Sequence, residues 1–252
     1  MIDHWKIILL VWALYALAIN FALFRKKLRS KRSTAASRLR QNPLSLLIVG
    51  ATGGSGLELV QQALARGHKV TAFVRHPNRL KIEHANLRIA QGDVLDPASL
   101  EAAMQGQDAV LSALGHKRFF YPNSILSEGT RNILDAMKSC QVRRLIVESS
   151  LGVGDAVGLL GLPATFFVVP FILPFYFWDR VRQEQLVAES DVDWVIVRAA
   201  ILTNGAARGM YKHGNVGSYL LPVRISRADV ADFMLKQLHD DTYVGRAPGL
   251  CS

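Results

Sequence analysis

Residues 44–75 read LSLLIVGATGGSGLELVQQALARGHKVTAFVR, and this stretch decides the fold. The apolar run LSLLIVG has the length of a buried strand, and the glycine-rich GATGGSG follows it directly. Leu57, Val60 and Leu64 then recur at helical spacing until Gly67, and KVTAFVR is a second apolar strand. Strand, glycine turn, helix and strand within about thirty residues predict a parallel βαβ unit.

The glycines of this turn stand where a dinucleotide pyrophosphate needs them. Gly50 turns the chain tightly, Gly53 lets the backbone approach a pyrophosphate, and Gly56 allows the helix to pack on the strand. Ser55 and neighbouring amides would donate to phosphate oxygens at the positive end of the helix. The spacing is G-x-x-G-x-x-G rather than G-x-G-x-x-G. The flanking strand and helix therefore favour a nucleotide site over the alternative, a glycine-rich turn without a ligand.

The end of the second strand indicates which dinucleotide is bound. An NAD-binding chain places an acidic residue there to hold the ribose 2′-hydroxyl. This chain has Arg75, with Arg79 one turn further on, in VRHPNRL. Two guanidinium groups would bind a 2′-phosphate that a carboxylate would repel. We therefore predict NADP(H) as the cofactor; the alternative is a pair of solvated surface arginines.

The alternation of strands and helices continues to residue 199. Strands are predicted at 87–91, 108–114, 143–149 and 193–199, and helices at 98–104, 124–140 and 180–190. This order is typical of an α/β fold, a Rossmann-like doubly wound parallel sheet, which we assign to residues 43–252.

An apolar run precedes that domain. Ile7–Phe24 contains no charge, and its 18 residues would cover about 27 Å as a helix, close to the hydrocarbon thickness of a bilayer. A signal peptide would carry its positive charge before the run, and a buried core helix would rarely be apolar all round. We predict a transmembrane anchor over residues 1–24, with the remainder on the cytoplasmic side.

Eight cations and no acid follow the anchor, between Arg25 and Arg40. They account for most of the net charge of +10, so the rest of the chain offers no basic face to a nucleic acid. Residues 25–42 are predicted to be a basic juxtamembrane linker that lies against anionic headgroups.

A second apolar segment, Gly158–Trp178, is uncharged and contains three prolines, which exclude an uninterrupted helix. Three interpretations remain open for it: a lid over an apolar substrate pocket, a loop that enters the membrane interface, or core packing.

The motifs GATGGSG, VTAFVRHPNRL, GDVLDP, DAVLSALG, SEGTRNILDAMK, VESS, DWVIVR and ISRADVADFMLKQL resemble those of the atypical short-chain dehydrogenase/reductases. The resemblance is nearest to the NAD(P)H-binding group of flavin reductase/biliverdin-IXβ reductase and NmrA-like proteins, and it covers about residues 44–243. By motif position it implies a set of cofactor contacts: Gly50, Thr52, Gly53, Ser55, Gly56, Arg75, Asn78, Arg79, Asp93, Val94, Leu114 and Gly115. It also implies that the nicotinamide lies beside the segment between the VESS strand and the next helix, which includes Gly158–Trp178.

The catalytic pattern is less complete. No tyrosine has a lysine four residues on, so the Tyr-x-x-x-Lys pair of ordinary short-chain dehydrogenases is missing. Ser150 matches a site serine of the flavin reductase branch, and a role in capping the turn after the strand is the alternative. Arg180 and Ile201 stand at the positions of that branch's site histidines. Glu184 also matches a family position, although a surface ion pair with Arg180 would explain it.

These observations predict a membrane-anchored, NADPH-dependent reductase that passes hydride to a hydrophobic conjugated acceptor of the quinone, flavin or tetrapyrrole class. Its expected partners are the lipid bilayer and that acceptor; no metal ligand pattern is present in the sequence. The alternative function is a non-catalytic, NADP(H)-sensing regulatory or assembly factor of the NmrA-like type.

Overall fold

A computed structural model describes residues 4–24, 43–116, 121–218 and 220–252 of the chain. The strands are β1 Ser45–Val49, β2 Lys69–Val74, β3 Leu87–Gln91, β4 Ala109–Ser112, β5 Arg144–Ser150, β6 Asp193–Ala199, β7 Ile201–Thr203, β8 Lys212–Gly214, β9 Arg224–Ser226 and β10 Gly249–Cys251. The helices are α1 His4–Leu23, α2 Gly54–Ala65, α3 Pro97–Met104, α4 Ile125–Ser139, α5 Val169–Phe171, α6 Pro174–Glu189 and α7 Arg227–Lys236.

The main sheet has the strand order β3-β2-β1-β4-β5-β6-β10-β8, and β7 pairs with β9 in a small second sheet. The strands of the main sheet are parallel to their neighbours except for β8, which is antiparallel to β10. The connection from β3 returns to the far side of β1, so the strand order reverses between β1 and β4. Ligands of such sheets bind above the carboxyl ends of the strands at this reversal point.

Strand β1 shows how the sequence builds two cores. Leu46 and Ile48 point to the core that α2 and α7 cover, whereas Leu47 and Val49 point to the core that α3 and α4 cover. Because successive side chains of a strand alternate between faces, a continuous apolar run is required when helices cover both faces. The predicted parallel α/β fold is confirmed.

The predicted elements before residue 150 agree with the structure to within three residues at each boundary. Helix α6 begins at Pro174 rather than at residue 180 and therefore includes the end of the apolar segment. The sequence analysis did not assign α7 or the strands after β6. The basic cluster and the linker predicted for 25–42 lie outside the described residues.

Helix α1 contains a stretch, Trp5–Leu23, that is long and apolar enough to cross a membrane, and only 17 % of it is buried. The segment 158–178 is not one helix. A π-helical turn at Ala164–Val168 leads into α5, and the chain then bends by 94° into α6. As predicted from its three prolines, this segment does not form an uninterrupted helix.

Candidate functional site

The turn after β1 explains two of its glycines by geometry. Gly50 has φ of +79°, and a Cβ there would lie 2.5 Å from the carbonyl oxygen of Ala113. A Cβ on Gly56 would lie 2.1 Å from the carbonyl oxygen of Gly50, so a side chain cannot fit between helix and turn. The Gly53 amide donates to Gly50 O at 2.9 Å, and the first turn of α2 begins directly after it. The turn brings the N-terminus of α2 to the carboxyl end of β1, as phosphate binding requires.

The residues predicted to contact the cofactor follow four adjacent strands at this edge of the sheet. After β1 come Gly50, Thr52, Gly53, Ser55 and Gly56; after β2 come Arg75, Asn78 and Arg79; after β3 come Asp93 and Val94; after β4 come Leu114 and Gly115. Arg75 and Arg79 are both exposed; Arg75 stands two residues before a short 3-10 turn, Pro77–Arg79, and Arg79 is its last residue. The fold thus collects these positions along one edge, and their individual contacts with a cofactor stay predictions.

Val94 and Leu114 are buried, and they pack against α4 where Gly129 stands. A Cβ on Gly129 would lie 2.9 Å from Val94 Cγ2 and 3.0 Å from Leu114 Cδ2. Asn132 donates to Val94 O at 2.9 Å. The side chains of Val94 and Leu114, with the hydrogen bond from Asn132 to Val94 O, therefore hold the loops after β3 and β4 in place.

Two serines end β5, and their hydroxyl groups have different partners. Ser150 donates to Leu151 O at 2.9 Å, which is the turn-capping role that the sequence analysis kept as the alternative. Ser149 donates to Glu184 Oε1 at 2.7 Å. A catalytic role for Ser150 would require this local hydrogen bond to be released.

Glu148, which the sequence analysis did not single out, reaches the glycine turn from β5. It accepts a hydrogen bond from Ser55 Oγ at 2.8 Å, and burial raises the pKa of its carboxyl group, against the opposing effects of Ser55, Arg180 and Arg227. Ser55 thus contacts Glu148 as well as standing in the predicted phosphate-binding turn. The sequence signal for the contact between Glu148 and Ser55 is the position of Glu148 within an otherwise largely apolar strand.

The expected surface ion pair between Arg180 and Glu184 is wrong, because both side chains are buried, with 6 % and 2 % exposed. Glu184 instead receives two hydrogen bonds from Arg198, at 3.1 Å from Nε and 2.7 Å from Nη2. Arg198 also donates to Asp155 Oδ1 at 2.6 Å. Burial lowers the pKa of Arg198, but Glu184 and Asp155 outweigh it and raise that pKa above its usual range. The hydrogen bonds of Arg198 with Glu184 and Asp155 therefore connect the loop after β5 to α6 and β6.

Arg180 points toward the sheet edge rather than toward solvent. Its Nη1 donates to Glu148 O at 2.7 Å, and its Nη2 donates to the Tyr176 hydroxyl at 2.5 Å. The Tyr176 ring lies 5.0 Å from the ring of His116, the residue after Gly115. A second buried carboxylate on the same helix, Asp179, accepts hydrogen bonds from the backbone of Leu126 and Ser127 at the start of α4.

Arg227, at the start of α7, covers the glycine turn. A Cβ on Gly54 would lie 2.5 Å from Arg227 Cδ and 2.6 Å from its Nε. Its Nη1 donates to Asn204 Oδ1. This brings a guanidinium group next to the first residue of α2, where the sequence analysis predicted phosphate binding by backbone groups and Ser55 alone.

Helix α1 packs directly on the apolar segment. Trp12 contacts Phe167 with ring centroids 4.9 Å apart, and Tyr15 contacts Phe171 at 5.2 Å. Asn20, the one clearly polar side chain of the apolar run, donates to Thr165 O at 2.9 Å. We call the exposed apolar side chains of α1 and of residues 162–178 the apolar face. These are Trp5, Ile7, Ile8, Leu9, Leu10, Val11, Leu14, Tyr15, Leu17, Phe21, Leu162, Phe167, Val168, Phe171, Ile172, Phe175 and Trp178.

A separate cavity of about 680 Å³ lies between the loop after β5 and strands β8 and β10. Asp155, Arg198, Asn215, Tyr243 and Arg246 supply its polar lining. It lies on the side of β6 away from the reversal point, so it differs from the predicted cofactor site.

The fold and this strand-end site define a Rossmann-type nucleotide-binding protein. The sequence model of a family described as NAD(P)H-binding matches residues 50–241, and the chain belongs to this NAD(P)H-binding family. The resemblance to the atypical short-chain dehydrogenase/reductases is confirmed, as is the prediction of a nicotinamide dinucleotide cofactor. Arg227 fits such a cofactor, since its guanidinium group lies beside the turn that would hold the phosphates. The Ser55 hydroxyl donates to Glu148, which leaves the backbone amide of Ser55 as its group for a phosphate.

Curated relatives include reductases. The chain is 31 % identical over 173 residues to an uncharacterised chloroplastic protein of Arabidopsis thaliana, covering 65 % of this chain and 61 % of that protein. It is 24 % identical to the 2-alkyl-3-oxoalkanoate reductase of Shewanella oneidensis, covering 90 % of this chain and 60 % of that enzyme. The chain therefore spans about three fifths of the length of these relatives.

Solved structures share the fold. A Rossmann-fold NAD(P)-binding family protein from Shigella flexneri has a TM-score of 0.62 and 27 % identity, covering 82 % of this chain and 93 % of that chain. ChuY of Escherichia coli O157:H7, described as an anaerobillin reductase, has a TM-score of 0.66 and 23 % identity, with 82 % and 96 % covered. A Veillonella parvula short-chain dehydrogenase/reductase in complex with NADP has a TM-score of 0.68 and 19 % identity, with 83 % and 94 % covered. The last two likenesses concern the fold alone.

Proposed function

We propose that this protein is a membrane-anchored reductase that passes hydride from NADPH to a hydrophobic conjugated acceptor arriving from the bilayer. One observation carries the proposal: the segment that carries the apolar face contacts the edge of the predicted cofactor site. Tyr176 belongs to the segment that carries the apolar face, and its ring contacts His116, which follows the predicted cofactor residue Gly115.

The state of α1 supports the membrane part of the proposal. Phe21 is 82 % exposed and Ile8 is 67 % exposed. Contact with water is unfavourable for each of these apolar side chains, and contact with lipid would remove that cost. The hydrogen bond from Asn20 to Thr165 O satisfies an amide that hydrocarbon would leave without a partner. A single span through α1, followed by basic residues, orients the Rossmann domain to the cytoplasmic side by the positive-inside rule.

The residues of this chain have distinct expected roles in the reaction. The backbone amides of the glycine turn, that of Ser55 included, and the Arg227 guanidinium would bind the pyrophosphate, and Arg75 with Arg79 would bind the ribose 2′-phosphate. When bound, NADPH supplies a hydride from its nicotinamide ring. The apolar segment would exclude water from that ring and hold a flat acceptor against it.

The test uses the full-length protein in phospholipid vesicles. NADPH oxidation is followed with two quinones that share one ring, a long-chain form confined to the bilayer and a short-chain form in water. We expect turnover with the long-chain quinone. The double variant Phe167→Glu/Phe171→Glu should lower that rate at least about tenfold by placing charge on the apolar face, while NADPH affinity is unchanged.

Ile89→Glu is the matched control, because Ile89 is an exposed apolar side chain on β3, at the other edge of the sheet. It should leave the long-chain rate unchanged. Tight NADPH binding without turnover of any acceptor would contradict the proposal and favour the NADP(H)-sensing alternative. Equal use of both quinones, with no effect of the double variant, would contradict access from the membrane.

A further inference from the structure

The loop between β8 and β9 exposes two consecutive leucines. Leu220 and Leu221 are 70 % and 71 % exposed, and neither belongs to the apolar face defined above. We call Ser218, Leu220, Leu221 and Pro222 the leucine tip. A single leucine on a protein surface is ordinary, whereas adjacent exposed apolar side chains mark a surface that contacts a partner or a membrane.

The backbone amides of the leucine tip are bonded within the tip itself. The Ser218 hydroxyl oxygen accepts hydrogen bonds from the amide of Leu220 at 3.2 Å and from that of Leu221 at 3.1 Å. Pro222, which comes next, has no amide hydrogen. These three consecutive residues therefore need no water for their backbone donors, and a backbone that enters hydrocarbon must meet this condition.

Contacts with the apolar segment place the leucine tip near one end of α1. A Cβ on Gly161 would lie 2.7 Å from the carbonyl carbon of Leu221, so the two backbones touch. Gly161 O accepts a hydrogen bond from Thr165 N at 3.0 Å, and Thr165 O accepts one from Asn20 Nδ2 at 2.9 Å. Helix α1 ends at Leu23, only about 5 Å further along its axis. The leucine tip is thus connected to the carboxyl-terminal end of α1.

The charges on either side of the leucine tip suit an anionic lipid surface. Residues 204–224 include three exposed cations, Arg208, Lys212 and Arg224, and the sequence of this stretch has no acidic residue. Anionic lipids attract cations that lie close to the membrane surface. Arg224 stands two residues after Pro222, so a tip that enters the leaflet would bring this cation to the level of the headgroups.

We propose that the leucine tip enters the cytoplasmic leaflet of an anionic membrane, and that the Ser218 hydroxyl permits this entry by binding the tip's amides. This inference rests on the membrane part of the proposed function, because the end of α1 beside the tip is the end predicted to leave the bilayer on the cytoplasmic side. The tip is a contact separate from the apolar face. With both contacts in lipid, the Rossmann domain is held at two points and cannot turn freely about its anchor.

The test measures the depth of a fluorescent nitrobenzoxadiazole probe on single cysteines of the full-length protein. The protein is placed in vesicles of phosphatidylcholine and phosphatidylserine. Cys140→Ala/Cys251→Ala removes the native thiols, and an unchanged circular dichroism spectrum checks its fold. The probe is attached at Leu221→Cys in the tip, at Leu17→Cys in α1, or at Ile89→Cys on the far edge of the sheet.

Two quenchers report where each probe lies: iodide in water, and a doxyl group on the lipid acyl chain. We expect iodide to quench the probe at residue 221 at least about threefold less than the probe at residue 89, since interfacial insertion reaches about 5–10 Å into the headgroup and acyl boundary. The doxyl lipid should quench the probes at residues 221 and 17 and leave the probe at residue 89 unaffected.

A matched pair of variants tests the role of Ser218. Ser218→Ala removes the oxygen that accepts hydrogen bonds from the two leucine amides, whereas Ser218→Thr keeps it. We expect Ser218→Ala to raise the iodide quenching of the probe at residue 221 at least about twofold, because unbonded amides resist transfer to hydrocarbon. Ser218→Thr should leave the quenching unchanged. Equal quenching in the two variants would overturn the role assigned to Ser218.

Two results at residue 221 would overturn entry of the tip into lipid. A probe that iodide quenches as strongly as the probe at residue 89 lies in water, and a probe shielded from both quenchers is covered by protein. In both cases doxyl quenching at residue 17 shows that α1 is in the bilayer, so the proposed function stands. If only iodide quenches the probe at residue 17, the membrane part of the proposed function fails, and this inference fails with it.

Discussion

The turn after β1 and the segment between β5 and β6 meet at the same edge of the sheet, yet they are specified in different ways. The turn is fixed by backbone needs within seven residues, such as the positive φ of Gly50 and the close approach at Gly56. The segment 151–192 is fixed by contacts that are distant in sequence, such as those of Glu184 with Arg198 and of Asn20 with Thr165. Local chemistry therefore predicts the position of the nucleotide site, whereas contacts distant in sequence shape the segment proposed to receive the acceptor.

The largest expected effect in this comparison is on the β5–β6 side. Glu184→Ala should lower the free energy of unfolding by about 3–5 kcal/mol, because it leaves the buried Arg198 with only Asp155 as a charged partner. Urea unfolding of the variant measures this loss. Glu189→Ala, five residues further along α6 and at an exposed side chain, is the control and should change little. Equal stabilities of Glu184→Ala and wild type would mean that distant contacts do not fix this segment.

The next effect is on the turn itself. Gly56→Ala should cost about 1–3 kcal/mol or more, because the added Cβ would lie 2.1 Å from a backbone oxygen and that oxygen can move only with the turn. It should also weaken NADPH binding, measured by nicotinamide fluorescence. Gly205→Ala meets nothing closer than 3.9 Å and serves as the control. A Gly56→Ala protein of normal stability and normal NADPH affinity would contradict the geometric account of the turn.

A smaller effect concerns cofactor choice. Arg75→Ala should weaken NADPH binding about tenfold, or about 1.4 kcal/mol, and leave NADH binding unchanged, because only NADPH carries the 2′-phosphate. Isothermal titration with both cofactors measures the difference. Lys138→Ala removes an exposed cation at the opposite end of α4 and should alter neither affinity. If Arg75→Ala keeps the wild-type preference for NADPH over NADH, Arg75 does not bind the 2′-phosphate.

The smallest effect lies outside both regions, where α2 meets α7. Partial burial raises the pKa of Asp232, but hydrogen bonds from Lys236 and Tyr211 outweigh it and hold that pKa below its usual range. The stabilisation is therefore present at neutral pH and is lost as the pH falls through the lowered pKa of the folded state. Asp232→Asn should cost less than about 1 kcal/mol at pH 7, since Lys236 is exposed, and should cost nothing at the acid end. A cost that grows toward low pH would contradict this assignment.

The sequence predicted most of the fold because its signals are local. Apolar runs such as Leu46–Val49, with glycines and helical spacing after them, determine strand, turn and helix without knowledge of the rest of the chain. The C-terminal strands were missed because they have only three residues each and depend on pairing with β6 and with one another. Helix α6 was predicted to begin too late because the apolar residues before Arg180 have no helical periodicity.

As with the fold, the local part of the candidate site was predicted from the sequence, and the part that depends on distant contacts was not. The positions around the glycine turn follow from spacing, whereas Glu148 and Arg227 reach the turn across the sheet from distant elements. Tyr176 and Arg180 are four residues apart in the sequence, which is about one helical turn, but the sequence alone does not show that they contact each other. Only their hydrogen bonds show that the two side chains act on each other.

We propose that the acceptor meets the cofactor at the apolar face and not in the separate cavity beside β10. A long-chain azido-quinone in vesicles that hold the full-length protein and NADP⁺ tests this claim by light-induced labelling, followed by trypsin digestion and mass spectrometry. We expect label within peptide 145–180 at residues 162–178 of the apolar segment, located by fragmentation of the peptide, and loss of that label with excess unlabelled quinone; residues 151–159 of the same peptide line the separate cavity and should stay unlabelled. Protectable label on the peptides of residues 213–224 and 237–246, which line the separate cavity, would contradict it.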